Sequence, residues 1–168
     1  MKNMKKMYLL AAMAACSSAF AQSNTVVRWR GLAGVITASG VDNPVGDIHS
    51  GAGPWIATGG SAAIDLATGE GSFDVDGLVL NGGPASGTPG GVTSVVGTLV
   101  CNPSSAAGSD QTATNTPITP LSRLGDAELS FTINIPQPCS NPLFLIRTPG
   151  GRWIATATRP VVADSRTR

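Results

Sequence analysis

After Ala21 the chain contains no lysine, no methionine and no tyrosine. In all 168 residues there is one histidine, and charged residues make up only 12%. Each shortage closes off a class of function. Beyond residue 21 the charges are eight Arg against eight Asp and two Glu, a net of −2. That balance offers no basic surface for a nucleic-acid partner. One imidazole cannot supply the closely spaced His and Cys pairs of a zinc site. No apolar run reaches the roughly 20 residues of a membrane-spanning helix. The glycines form neither a Walker loop nor a dinucleotide fingerprint, and no G-x-S-x-G elbow occurs. Asn102-Pro103-Ser104 has proline at its centre and is no glycosylation acceptor. No cofactor is expected.

What is present begins with an export signal. Lys2, Lys5 and Lys6 precede the apolar run MYLLAAMAAC, and Ala19-Phe20-Ala21 stands before Gln22. A charged start, a short apolar core and an A-x-A site are the parts of a cleaved signal peptide. Residues 1–21 therefore read as that peptide, with cleavage between Ala21 and Gln22. Met13-Ala14-Ala15-Cys16 loosely resembles a bacterial lipoprotein site, so lipid anchoring through Cys16 is the alternative. Residues 22–162 read as a single β domain and 163–168 as a disordered tail. The expected compartment is the periplasm or the extracellular space.

Past the leader the cysteines are Cys101 and Cys139. In an exported chain two cysteines are most simply a disulfide. A metal site is the competing reading, and it lacks further ligands.

The chain alternates apolar and polar residues in several places, the period of a half-buried strand. In ELSFTINIP, residues 128–136, Leu129, Phe131, Ile133 and Ile135 share one face. SVVGTLVC, residues 94–101, is short and β-branched. Residues 143–148 and 152–158 flank Pro149-Gly150-Gly151 and read as a hairpin. A second hairpin joins residues 61–66 to 72–80, with Phe73 and Val75 inward and Asp74 and Asp76 outward. TVVRWR and LAGVITA read as one strand or as two broken at Gly31. No window after Ala21 holds a helical period. About eight short strands predict an all-β fold, an antiparallel β-sandwich with a closed β-barrel as the alternative. Trp29, Trp55 and Trp153 are natural core anchors. Residues 81–91 and 102–113 read as long mobile loops. Trp55-Ile56-Ala57-Thr58 and Trp153-Ile154-Ala155-Thr156 echo each other, but four residues make no repeat.

Candidate chemistry is thin. Asp47, His49 and Ser50 are the residue types of a hydrolytic triad, yet sequence neighbours seldom meet as one. A turn histidine is the simpler reading of His49. Asp74 and Asp76 share a strand face and are weak calcium candidates, with Asp65 and Glu70 as possible further ligands. The calcium-loop pattern is incomplete there, and a solvated strand face explains the same residues.

The order Gly53-Pro54-Trp55-Ile56, Gly77-Leu78-Val79-Leu80, Thr98-Leu99-Val100-Cys101, Gly125-Asp126-Ala127, Pro138-Cys139 and Arg152-Trp153-Ile154-Ala155 resembles a group of small exported bacterial proteins of unassigned function. The likeness runs over residues 28–158. It implies the β fold and the cysteine pair, and carries no active site. The functional expectation is a non-catalytic binding or structural module, with a glycan or an envelope protein as possible partner. The alternative is an exported hydrolase acting on glycans or esters through Asp74, Asp76 or His49.

Overall fold

The apolar faces of the alternating segments have to be buried against something, and they are buried against each other. The computed structural model describes residues 25–36, 38, 40–103, 110–158 and 160–162. Its strands are β1 (Val26–Trp29), β2 (Leu32–Gly34), β3 (Trp55–Ile56), β4 (Gly59–Asp65), β5 (Glu70–Asp76), β6 (Val79–Leu80), β7 (Ser94–Cys101), β8 (Thr112–Pro120), β9 (Ala127–Thr132), β10 (Leu143–Arg147), β11 (Trp153–Ala157) and β12 (Pro160–Val162). No helix occurs among the described residues. One five-stranded sheet runs β12-β1-β4-β5-β9, and the other runs β2-β11-β10-β7-β8. We call them sheet A and sheet B. A small ribbon pairs β3 with β6. All ladders between named strands are antiparallel.

The sandwich is the architecture adopted; the sheets are not closed into a barrel. On one side the chain does pass between the sheets. β1 lies in sheet A and its continuation β2 in sheet B, while β11 lies in sheet B and β12 in sheet A. The turn of the corner falls at Gly31, where a Cβ would sit 2.8 Å from the Thr158 hydroxyl. Thr158 donates its N–H to the Gly31 carbonyl at 2.8 Å. On the other side β8 and β9 end their sheets close beside each other, but no ladder joins them, so the sheets stay unclosed there.

Among the described residues twelve strands replace the expected eight or so, because the strand expected over 72–80 divides and three unexpected short or polar strands, Trp55–Ile56, Thr112–Pro120 and Pro160–Val162, are added. The predicted strand over 72–80 ends at Asp76. Gly77 then turns the chain at φ 58°, and Val79–Leu80 leaves to pair with Trp55–Ile56. β8 is a strand the sequence concealed: its Thr, Ala, Asn and Pro residues, with Ile118 the one large apolar side chain, lack an apolar rhythm. As an edge strand it buries only Thr116 and Thr119 and needs none. The two Trp-Ile-Ala-Thr stretches do not hold equivalent positions. One begins in the ribbon and the other in the interior of sheet B.

Sheet A alternates cleanly. Trp29, Ala62, Ile64, Phe73, Val75 and Phe131 are buried, and Arg28, Ser72, Asp76, Glu128 and Ser130 are exposed. Across the sandwich Phe144 of sheet B meets three of these rings. Its centroid lies 5.9 Å from Trp29, 5.6 Å from Phe73 and 6.4 Å from Phe131. Aromatic pairs at such distances contribute about 0.5–1.5 kcal/mol beyond the area they bury. Gly69 makes the β4–β5 hairpin fit against β9. It sits at φ +75°, and a Cβ there would lie 1.8 Å from the Ile133 carbonyl oxygen.

Sheet B is buried on both faces at its centre. Val95, Val96, Thr98, Leu99 and Val100 of β7 are all at most 9% exposed, as are Phe144, Leu145 and Ile146 of β10. Sheet A covers one face. Residues 40–51 cover the other. This strap is tied beside β11, where the Trp153 indole donates to the Asn43 carbonyl at 2.8 Å. It is tied again at the start of β8, where the Gln111 amide donates to the Val45 carbonyl at 3.1 Å. β10 and β7 lie between those two strands, so the strap crosses them and seats Val45 and Ile48 in the core.

Cys101 and Cys139 form the disulfide, with Cα atoms 4.7 Å apart. It fastens the end of β7 to the connection between β9 and β10. Around it the Asn102 N–H donates to the Ser140 carbonyl at 2.8 Å, and the Ser140 N–H donates to the Asn102 side chain at 2.9 Å.

Candidate functional site

His49 lies in the strap, and the strap decides its surroundings. Asp42-Asn43-Pro44 turns the chain so that Asp42 faces His49 and Ser50. The imidazole Nδ1 bonds Asp42 Oδ2 at 2.5 Å. The other carboxylate oxygen accepts the Ser50 N–H at 2.9 Å and the Ser50 hydroxyl at 3.2 Å. The Asn43 N–H donates back to Ser50 Oγ at 2.9 Å. Arg152 donates from Nη1 to the Ser50 carbonyl at 3.0 Å, and the Trp153 N–H donates to the His49 carbonyl at 3.0 Å. The hydrogen bond from His49, and then that from the Ser50 N–H, hold the Asp42 carboxyl below the usual carboxylate range.

These contacts reassign the triad residue types. The acid that meets His49 is Asp42, seven residues upstream, and not Asp47. Ser50 is 1% exposed, and its hydroxyl turns to Asp42 and to the Gly51 carbonyl, away from the imidazole. A nucleophilic serine needs its proton beside the base and its oxygen open to substrate. Ser50 has neither. Chemically, the cluster can hold a turn closed and can keep one ring nitrogen of a 59% exposed imidazole available to solvent. A shallow depression of about 300 Å³ lies alongside, with Asp42, Ser50 and Arg152 among its lining residues.

Asp74 and Asp76 stand where the strand period placed them, on the outer face of β5. Asp74 accepts a hydrogen bond from the Ser61 hydroxyl and lies opposite Glu128 of β9; Asp76 lies opposite Gly59. Asp65 and Glu70 do not join them. Both lie at the hairpin end, with Glu70 four residues along β5 from Asp74. At about 3.4 Å per residue that separation is beyond a shared ion. Asp65 is instead occupied by the Thr25 hydroxyl at 2.6 Å and the Ala67 N–H at 2.9 Å. The Thr25 bond is the larger cause holding its carboxyl below the usual range. Among the described residues, no group of three or more His, Cys, Asp or Glu could hold a metal ion.

Arg147 lies partly buried, and that burial lowers its guanidinium below the usual arginine value. It crosses the outer face of sheet B, donating to the Gly151 carbonyl at 2.8 Å and to the Asn115 side chain at 3.3 Å. The Thr98 hydroxyl, fully buried, bonds the same Asn115 oxygen at 2.8 Å. Nothing in the sequence pattern marks Arg147 or Asp42 as a functional residue. Asp42-Asn43-Pro44 has turn chemistry that marks it as structural, but its partnership with His49 exists only once the strap folds back.

The cleavage residues Ala21 and Gln22, the lipidation candidate Cys16 and the tail at 163–168 lie outside the described residues. Among the described residues no helix is long and apolar enough to cross a membrane. No protein-family model, no curated protein and no solved structure matches this chain.

Proposed function

We propose that the protein is an exported β-sandwich acting as a non-catalytic binding or structural module of the periplasm or extracellular space. The observation that carries this reading is the use made of Asp42, His49 and Ser50. Their polar groups are spent on closing the strap over sheet B, and the hydroxyl that would attack a substrate is buried. The disulfide supports export, because such bonds persist in oxidising compartments. The signal-peptide pattern of residues 1–21 supports it independently. Partners compatible with a surface of Ser, Thr, Asn and few charges are glycans and envelope proteins.

A thermal-shift screen of the oxidised protein against sugars, cell-wall fragments and divalent ions tests the reading. A ligand at about 100 times its dissociation constant stabilises a fold by about 2.7 kcal/mol, a clear rise in melting temperature. The same preparation is assayed on ester and glycoside substrates beside His49→Ala and Asp76→Asn. The module reading expects equal, background turnover in all three proteins. Turnover that collapses in either variant while the melt is kept would establish the exported hydrolase instead.

A further inference from the structure

Four strand edges terminate the two sheets, and three of them are blunted. β12 is three residues long and begins with Pro160. β2 is also three residues long, and beyond it the Trp55 N–H donates to the Val35 carbonyl, so the ribbon covers that end. β8 carries Pro117 and Pro120, and its register with β7 shifts between Val96 and Thr98. Proline, shortness and bulges are the usual protections of an edge. β9, Ala127–Thr132, has none of them.

The free groups of β9 can be assigned. Ile133 donates its N–H to the Gly69 carbonyl on the β5 side. Antiparallel ladders alternate, so Phe131, Leu129 and Ala127 also bond toward β5. Glu128, Ser130 and Thr132 therefore point their N–H and C=O groups away from the sheet. All three residues are exposed, and no strand pairs with them. Six main-chain groups thus stand in a row on the β9 edge of sheet A, with β8 close by but not laddered to them.

We infer that this edge pairs with the same edge of a second copy of the chain, antiparallel about a two-fold axis at Ser130. That register answers each requirement of the strand. Ser130 meets its own counterpart, and Glu128 meets Thr132 of the other copy, so all six groups are paired. On the inner face Leu129 comes opposite Phe131 and prolongs the apolar layer; Leu129 is only partly covered within one chain. No like charges face each other. The two Glu128 residues stand about 14 Å apart, four residues of strand, which is beyond the Debye length at physiological salt. Joining the sheets this way makes one ten-stranded sheet from two copies of sheet A. The inference is independent of what the module binds.

Light scattering coupled to gel filtration, run on the oxidised full chain over a concentration series, reads the association. The expected result is a mass twice that of the chain that falls to one at dilution. Ser130→Pro removes an outward N–H and none directed at β5, so it yields a monomer. Should that variant fail to fold, Thr132→Glu decides. It sets two carboxylate pairs against Glu128 and weakens the dimer about tenfold, whereas Thr132→Lys in the same place tightens it or leaves it unchanged. A monomer at every concentration overturns the inference. So does a dimer that persists in folded Ser130→Pro, or one that Thr132→Glu and Thr132→Lys affect alike.

Discussion

At the scale of single residues, two carboxylates tie the fold to pH. Asp42 and Asp65 both have their carboxyl groups held below the usual range by hydrogen bonds formed only in the folded chain. A depressed folded value means the unfolded chain takes up protons first as pH falls. The stabilisation is therefore complete above the unfolded value, about 3.9, and is lost as pH drops through the lower folded values. The melting temperature should be flat at neutral pH and should decline below about pH 4. In the double variant Asp42→Asn, Asp65→Asn that decline should be shallower, and the gap to wild type should close in acid. A gap that stays constant from neutral pH into acid would mean that the charge of these groups is not what stabilises the fold.

The strap is the element on which sheet B depends. Its polar ties are at its base beside β11, through Asn43, His49 and Ser50, and at its tip, through Val45; its apolar contribution is Val45 and Ile48. Ile48 is 7% exposed, whereas Ile118 on the outer face of β8 is 64% exposed. Ile48→Ala should destabilise by about 2–4 kcal/mol, because transfer energy is lost and the covered face of β7 and β10 is opened. Ile118→Ala should change stability by less than about 0.5 kcal/mol. Urea denaturation separates the two outcomes, and equal costs would show that the strap does not seal sheet B. The sequence conveyed this element poorly. Its Gly, Asp and Pro content reads as a loop, and Val45 and Ile48 have no periodic company. β5 and β9 were legible residue by residue because each has one wet face and one dry face. β7, β-branched and without a polar face, announces a strand without revealing that something other than sheet A covers its second face.

For the whole molecule the disulfide sets how much freedom the unfolded chain keeps. Cys101 and Cys139 are 38 residues apart. Closing such a loop is worth about 4 kcal/mol if the effect is chain entropy alone. At this size that corresponds to a fall in melting temperature of about 10 °C in Cys101→Ser, Cys139→Ser. Calorimetry on the oxidised protein and the double variant measures it. An unchanged melt would remove the disulfide from the list of what holds the sandwich. The bond closes over the end of sheet B furthest from the Arg147–Trp153 pairing, where the chain returns from β9 to β10. It therefore restrains a connection that no strand ladder reaches.

The sequence by itself determined the all-β class, the inward and outward faces of β5 and β9, the presence of hairpins near residues 67–71 and 149–151 (the first turn falls at 66–69, with Glu70 and Gly71 already in β5), and the pairing of the two cysteines once export was assumed. These follow from local rules: a period of two, residues that tolerate tight turns, and the chemistry of a lone cysteine pair. Only the tertiary structure decided that the sheets form an open sandwich, since sandwich and barrel demand the same alternation. It also decided that β1 and β2 belong to different sheets, that Asp42 rather than Asp47 meets His49, and that Asp65 stays apart from Asp74. Each of these depends on where a segment lands after crossing the molecule. A hydrogen bond or ion site needs a few ångströms of proximity, and that proximity is set by the packing of whole sheets and not by neighbours along the chain.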